Sequence, residues 1–186
     1  MASTGTNLTA QVNSSVVTSS NFITTYNNAP LFAQPIVATS LTRGISTGSR
    51  VKILGTNKYL YSVVFYDEKG RVIQTQSTNI CDEIDINTTQ YDWSGKVLRN
   101  YTWHVKHTAT SKAYGVLTKM TYDHAGRVLS ITKNINNLGD KEIVHNQYNE
   151  LGQLSNKSLG NNLEDLDYSY NIRGWLTGIN KAAIPS

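Results

Sequence analysis

Aromatic and β-branched residues concentrate in short runs along this chain, at residues 58–65, 116–121 and 142–147. Each run has the composition of a strand and leads into a cluster of turn-forming residues. No stretch sustains a 3.6-residue apolar period between capping residues, so almost no helix is expected. An earlier hairpin is expected between residues 43–48 and 51–54, followed by a Gly55-Thr56-Asn57 turn. Residues 31–41 carry Leu31, Phe32, Ile36, Val37 and Leu41 and read as a strand interrupted by Pro35, which suits an edge position. Residues 1–28 are mostly Ser, Thr and Asn with scattered apolar positions, the pattern of disorder or of weakly specified strands.

The turn-forming clusters repeat. The unit is Tyr, then Asp or Asn, two variable residues, Gly, usually a basic residue, then Val or Leu. Its copies begin Tyr66-Asp67, Tyr91-Asp92, Tyr122-Asp123, Tyr148-Asn149 and Tyr170-Asn171. Their glycines are Gly70, Gly95, Gly126, Gly152 and Gly174, and the basic residues are Arg71, Lys96 and Arg127. The tyrosines lie 25, 31, 26 and 22 residues apart. Repetition on this scale is the mark of an array of like supersecondary units.

Each unit reads as a β-hairpin tip, near residues 67–71, 92–96, 123–127, 149–153 and 171–175. Asp or Asn opens a type I turn and bonds the backbone two residues on, and Gly takes the left-handed position that closes a three-residue loop. With Glu68-Lys69-Gly70 as the loop, Asp67 lies opposite Arg71 and Tyr66 opposite Val72. The same register sets Asp92 against Lys96, Asp123 against Arg127, Tyr91 against Val97 and Tyr122 against Val128. Opposite charges and aromatic–aliphatic pairs across strands each contribute roughly 0.2–1 kcal/mol. In the last two copies the charge pair becomes Asn149 with Gln153 and Asn171 with Trp175, while Tyr with Leu persists. The Tyr–aliphatic face is therefore expected to be the constant packing face. The expected fold is all-β, with successive antiparallel hairpins in one curved sheet and the tips along one edge.

Charge divides the 186 residues in two. None lies in residues 1–42, an uncharged Ser/Thr/Asn-rich segment; all 17 basic and 13 acidic residues fall in the repeat segment, 43–186. The signs are interspersed, which argues against nucleic acid as a partner. No apolar run approaches the ~20 residues of a membrane-spanning helix. A single cysteine, Cys81, excludes an intrachain disulfide.

Tyr-Asp-x-x-Gly-Arg-Val/Leu at this spacing resembles the RHS, or YD, repeat. Residues 170–180 look like a segment that precedes the RHS-associated core in bacterial members, and residues 46–57 look typical of the secreted bacterial subgroup. The resemblance covers roughly residues 44–180. It implies a β-sheet ribbon that spirals into a hollow shell around a C-terminal toxin or effector, in a secreted or cell-surface protein. The family's core carries an Asp-Pro site for self-cleavage; this chain has no Asp-Pro, and five tips cannot close a shell. The chain is therefore expected to be a non-catalytic structural piece of such a protein. Its expected partners are the rest of the shell, the effector cargo, and a secretion-system or carrier protein paired by β-augmentation.

Candidate chemistry is sparse. His104 and His107 have a metal-like spacing, but on a strand they point to opposite faces. His124 lies in a turn and His145 in a strand. The acidic groups Asp82, Glu83 and Asp85, then Asp140 and Glu142, then Glu164, Asp165 and Asp167, lack the Gly spacing of a calcium loop and read as solvated charge. Nothing activates Cys81. No catalytic triad order, phosphate loop or dinucleotide fingerprint occurs. No catalytic residue, cofactor or metal is expected. The alternative function is a carbohydrate-binding or adhesive surface built on Trp93, Trp103, Trp175, Tyr59, Tyr61, Tyr101, Tyr114 and Tyr168.

Overall fold

The computed structural model describes residues 8–29, 31–106 and 112–180. Eleven strands form one sheet in chain order: β1 (Gly48–Lys52), β2 (Tyr59–Tyr66), β3 (Val72–Thr78), β4 (Ile84–Tyr91), β5 (Val97–Lys106), β6 (Lys112–Tyr122), β7 (Val128–Ile135), β8 (Asp140–Tyr148), β9 (Leu154–Leu159), β10 (Glu164–Tyr170) and β11 (Leu176–Ile179). The architecture is all-β, built of consecutive antiparallel hairpins. Among the described residues the only helix is a single 3-10 turn, Ser14–Val16, capped by the Asn13 side chain.

The hairpin register follows from the turn chemistry. Tyr66 pairs with Val72, Tyr91 with Val97, Tyr148 with Leu154 and Tyr170 with Leu176. One pair further from each tip the register slips. Phe65 faces Gln74 and Gln90 faces Arg99, which leaves Ile73 and Leu98 as extra residues in β-bulges. Ser155 and Thr177 hold the same place in the later hairpins. A bulge sharpens the local twist and re-aims the side chain beside it. Ile73 is 2% exposed, whereas Val72, the residue opposite the tyrosine, is 36% exposed. The expected packing face is thus corrected near the first tip: the second aliphatic residue enters the core, not the first.

The chain divides into two units, Met1–Leu117 and Thr118–Ser186. In the first, Phe22, Ile36, Phe65 and Ile73 form the buried cluster, with Val12, Val17, Val63, Tyr91 and Tyr101 packed around it. Two of those four come from the uncharged N-terminal segment. Residues 9–29 and 31–36 lie as a strap over a face of β2–β5 and form no strand. The strand expected at residues 31–41 is replaced by a lone bridge between Ala33 and Asp92. Its residues are held from the sheet edge, with the Gln34 amide donating to Tyr91 O and the Thr39 amide to Tyr66 O. In the second unit Ser158 is the only buried residue among those described. Tyr122, Tyr148, Leu154, Leu159, Leu166, Tyr168 and Tyr170 there are half-buried.

Candidate functional site

Each tip is closed by its own acidic or amide side chain. Asp67 donates its amide to Arg71 O at 2.9 Å, and the Gly70 amide returns to Asp67 O at 3.0 Å. Asp67 Oδ1 accepts from the Lys69 and Arg71 amides, both at 2.9 Å, and Oδ2 accepts from Arg71 Nε at 2.6 Å. The same turn recurs at Asp92, where Oδ1 takes the Lys96 amide, and at Asp123, where Oδ1 takes the Arg127 amide. Asp123 and Arg127 also form an ion pair at 2.6 Å. Asn149 substitutes an amide: its Oδ1 accepts the Gln153 amide and its Nδ2 donates to Gln153 Oε1. Asn171 Oδ1 accepts the Arg173 and Trp175 amides. Gly70, Gly95, Gly126, Gly152 and Gly174 all have positive φ, which a Cβ would strain.

Within each unit, successive tips are joined by a ladder. The Tyr91 hydroxyl donates to Val72 O at 2.8 Å, the Tyr148 hydroxyl to Val128 O at 2.9 Å and the Tyr170 hydroxyl to Leu154 O at 2.9 Å. In each case the tyrosine of one tip reaches the aliphatic residue of the tip before it. In two of the three links the basic residue of the earlier tip covers that tyrosine, with Arg71 4.7 Å from the Tyr91 ring and Arg127 4.3 Å from the Tyr148 ring. Arg71 Nη1 also donates to Asp92 O, at 3.0 Å. Gly152 has a second role here, because a Cβ at that position would stand 2.6 Å from Arg127 Nη1. Before the first tip, the Tyr66 hydroxyl donates to Ser46 O. Burial raises the Tyr91 pKa, Arg71 opposes it and Asp67 adds to it, so the phenol remains a donor.

Burial disfavours the ionised Asp92 carboxyl, but hydrogen bonds from Ser94, the Lys96 amide and the Lys96 ammonium outweigh it and lower its pKa. At Asp123 the same opposition is overcome by the Arg127 amide, the guanidinium and the Ala125 amide. A depressed folded-state pKa contributes stability that is complete above the unfolded value of about 3.9 and is lost as pH falls through the folded value. Acid unfolding is therefore expected to steepen below about pH 4. Replacing both Asp92 and Asp123 by Asn should flatten that limb of a stability-versus-pH curve, and an unchanged limb would place the acid sensitivity elsewhere.

The strap is bound by three glutamines. Gln74 Oε1 accepts the Asn13 amide at 2.7 Å, and its Nε2 donates to Asn13 O at 3.3 Å and Thr88 Oγ1 at 2.9 Å. Gln76 Oε1 accepts from the Thr9 amide and hydroxyl, and its Nε2 donates to Gln11 O and Gln74 Oε1. Gln90 Oε1 accepts the Ile23 amide at 2.9 Å, while Nε2 donates to Ile23 O at 2.8 Å and Gln34 O at 3.1 Å. Arg99 Nη1 adds a bond to Asn21 O. The glutamines are 0–1% exposed. A buried primary amide is tolerated only with its donors and acceptors satisfied, and main chain left unpaired by secondary structure supplies both.

The remaining candidates are dispersed. His104 Nδ1 lies 2.7 Å from Asp85 Oδ1, and Asn79 Nδ2 donates to the same oxygen; His107 lies outside the described residues. Asp82 pairs with Lys58, Asp140 with Lys119, and His145 with Glu142. Asn156 Nδ2 donates to Asp167 Oδ1. Cys81 is exposed and His124 sits exposed at its tip. No group of three or more His, Cys, Asp or Glu side chains able to hold a metal occurs among the described residues. A cavity of about 670 Å³ between residues 10–12, 36–39 and β2 has no charged residue in its lining. Trp103 stacks on Tyr101 at 6.4 Å and Tyr101 meets the Phe22 edge at 6.4 Å, so these rings serve packing. Trp93 and Trp175 are 67% and 63% exposed, with Lys69 4.5 Å from the Trp93 ring and Arg173 5.6 Å from the Trp175 ring.

Sequence reasoning did not single out the glutamines or a further turn of the tip type. Between β3 and β4 the Asn79 amide donates to Glu83 O, the Asp82 amide to Asn79 O, and Asn79 Oδ1 accepts the Cys81 and Glu83 amides. Asp82, at φ 60°, occupies the glycine place. No helix among the described residues is long and apolar enough to cross a membrane. No family model matches the chain, and no curated protein is significantly similar to it.

Proposed function

We propose that this chain is a non-catalytic wall segment of an RHS-type shell, acting outside the producing cell as part of a protein that encloses an effector. The observation that supports it is the ladder. Tyr91, Tyr148 and Tyr170 each bond an aliphatic carbonyl of the tip before, and Arg71 and Arg127 cover Tyr91 and Tyr148, so these hairpins are complete only inside an array. The open sheet of the second unit suits a wall that is finished by neighbouring repeats, by cargo, or by a secretion or carrier protein. The test is limited proteolysis of the product of the whole reading frame. A C-terminal domain shielded by the shell resists cleavage, and Arg71→Ala with Arg127→Ala should speed its release at least about tenfold. A domain cut at the same rate with the shell intact or destabilised overturns the reading.

The exposed Trp93 and Trp175 rings favour a second reading, an adhesive or glycan-binding edge. Glycan-array binding that disappears on Trp93→Ala would establish it.

A further inference from the structure

The strap lies on its sheet mostly through bonds to its main chain, with the Asn21 side chain also hydrogen-bonded to Tyr101. The atoms that the sheet's glutamines and Arg99 bind are Thr9 N, Gln11 O, Asn13 N and O, Asn21 O, Ile23 N and O, and Gln34 O. The Thr9 hydroxyl is the one side-chain atom among them. Two glutamines, Gln74 and Gln90, grip both polar atoms of a single strap residue, as the next strand of a sheet would. The apolar anchors are few: Val16 and Phe22 are 6% and 2% exposed, and Ile36 is 9% exposed. The strap has no charge to misplace, and it is tied to β1 by residues 37–47, in which Val37 and Leu41 are 65% and 80% exposed.

We infer that the β2–β5 face is a binding track for the main chain of the strap, and that the strap of a second copy of this chain can occupy it in place of the molecule's own. The occupant follows from what is seated there: the same segment, on the same amides, delivered through an exposed connection. Within one molecule the short connection holds the strap at an effective concentration on the order of millimolar, so exchange is a minor event unless the strap is weakened. The inference is independent of the shell reading, since it uses only contacts within the first unit.

The test titrates a fluorescent peptide of residues 8–36 onto the full chain carrying Phe22→Ala. Loss of the Phe22 anchor should weaken the molecule's own strap by roughly two to three powers of ten. The wild-type peptide should then bind the variant one to one, and bind the wild-type chain at least about 100-fold more weakly. Gln90→Leu in the receiving chain should abolish binding. Replacing Gln11 of the peptide by Ala should leave it within about threefold, because only its carbonyl is held. Equal binding to both chains, no binding to a folded Phe22→Ala chain, or indifference to Gln90→Leu overturns the inference. Should Phe22→Ala prevent folding, the peptide is added during refolding. Recovery of a cooperative unfolding transition supports the track, and its absence at saturating peptide refutes it.

Discussion

Asp67→Ala is expected to cost about 3 kcal/mol, which lowers the midpoint of thermal unfolding by roughly 6–12 °C in a chain of this size. The carboxylate is 6% exposed and accepts from two amides and from the Arg71 guanidinium, so truncation leaves all three donors short of a partner. The cost sits at the lower end of the range for broken buried pairs because Arg71 keeps its contacts with Asp92 O and the Tyr91 ring. Asp67→Asn is the informative companion. It preserves the oxygen that closes the turn, as Asn149 and Asn171 do in the later tips, and loses the charge and the acceptor that Arg71 Nε uses. It should cost about 1 kcal/mol. Denaturant unfolding of the three proteins decides between turn and charge: equal losses would assign the effect to the ion pair, and a loss below about 0.5 kcal/mol for Asp67→Ala would make the tip an ordinary solvated turn.

The tips were legible in sequence because their chemistry is local. An Asp that caps its own turn, a Gly that goes left-handed and a Tyr facing an aliphatic residue are all fixed within seven positions. The pairing of Tyr66 with Val72 and of Asp67 with Arg71 follows from that loop alone. The bulge one step further on was not legible. Val72 and Ile73 are both β-branched and apolar, and nothing in their types says which enters the core. The turn at Asn79 was hidden for a related reason: Asp82 takes the positive φ that glycine takes elsewhere. Asp tolerates that region better than most residues, so the conformation survives without its usual residue.

The strap was misread for a different reason. Residues 1–28 read as disorder or weakly specified strands because they are polar and lack periodicity, and residues 31–41 as an edge strand because they are more apolar. Their partners, however, are glutamine and arginine side chains 56 to 78 positions away in sequence. A glutamine in a strand reads as solvent-facing by hydropathy, yet Gln74, Gln76 and Gln90 are among the most buried side chains here. The compensation is pairwise and long-range: polar strap backbone satisfies polar sheet side chains, and Phe22 and Ile36 supply the apolar anchors. Neither half announces the other when read alone.

That compensation predicts that a substitution usually expected to stabilise a core will damage this one. Gln90→Leu keeps roughly the same volume and adds apolar surface at a site 1% exposed. It also strands the Ile23 amide, the Ile23 carbonyl and the Gln34 carbonyl beneath the strap. Each orphaned buried group costs about 1–3 kcal/mol, so a total of about 3–5 kcal/mol is expected where hydropathy alone predicts a gain. The molecule's cheapest response is to lift the strap and hydrate those groups, which uncovers Phe22 and its contact with Tyr101. Amide exchange reads this directly. The Ile23 amide should be protected in the wild type and lose at least about 100-fold of its protection in the variant, while amides of the β8–β9 hairpin, in the second unit, keep theirs. Gln11→Leu is the control, since that side chain is exposed and only its carbonyl is bound; its effect should stay within about 0.5 kcal/mol. A Gln90→Leu chain as stable as the wild type, with Ile23 still protected, would show that the strap is held by its apolar anchors alone.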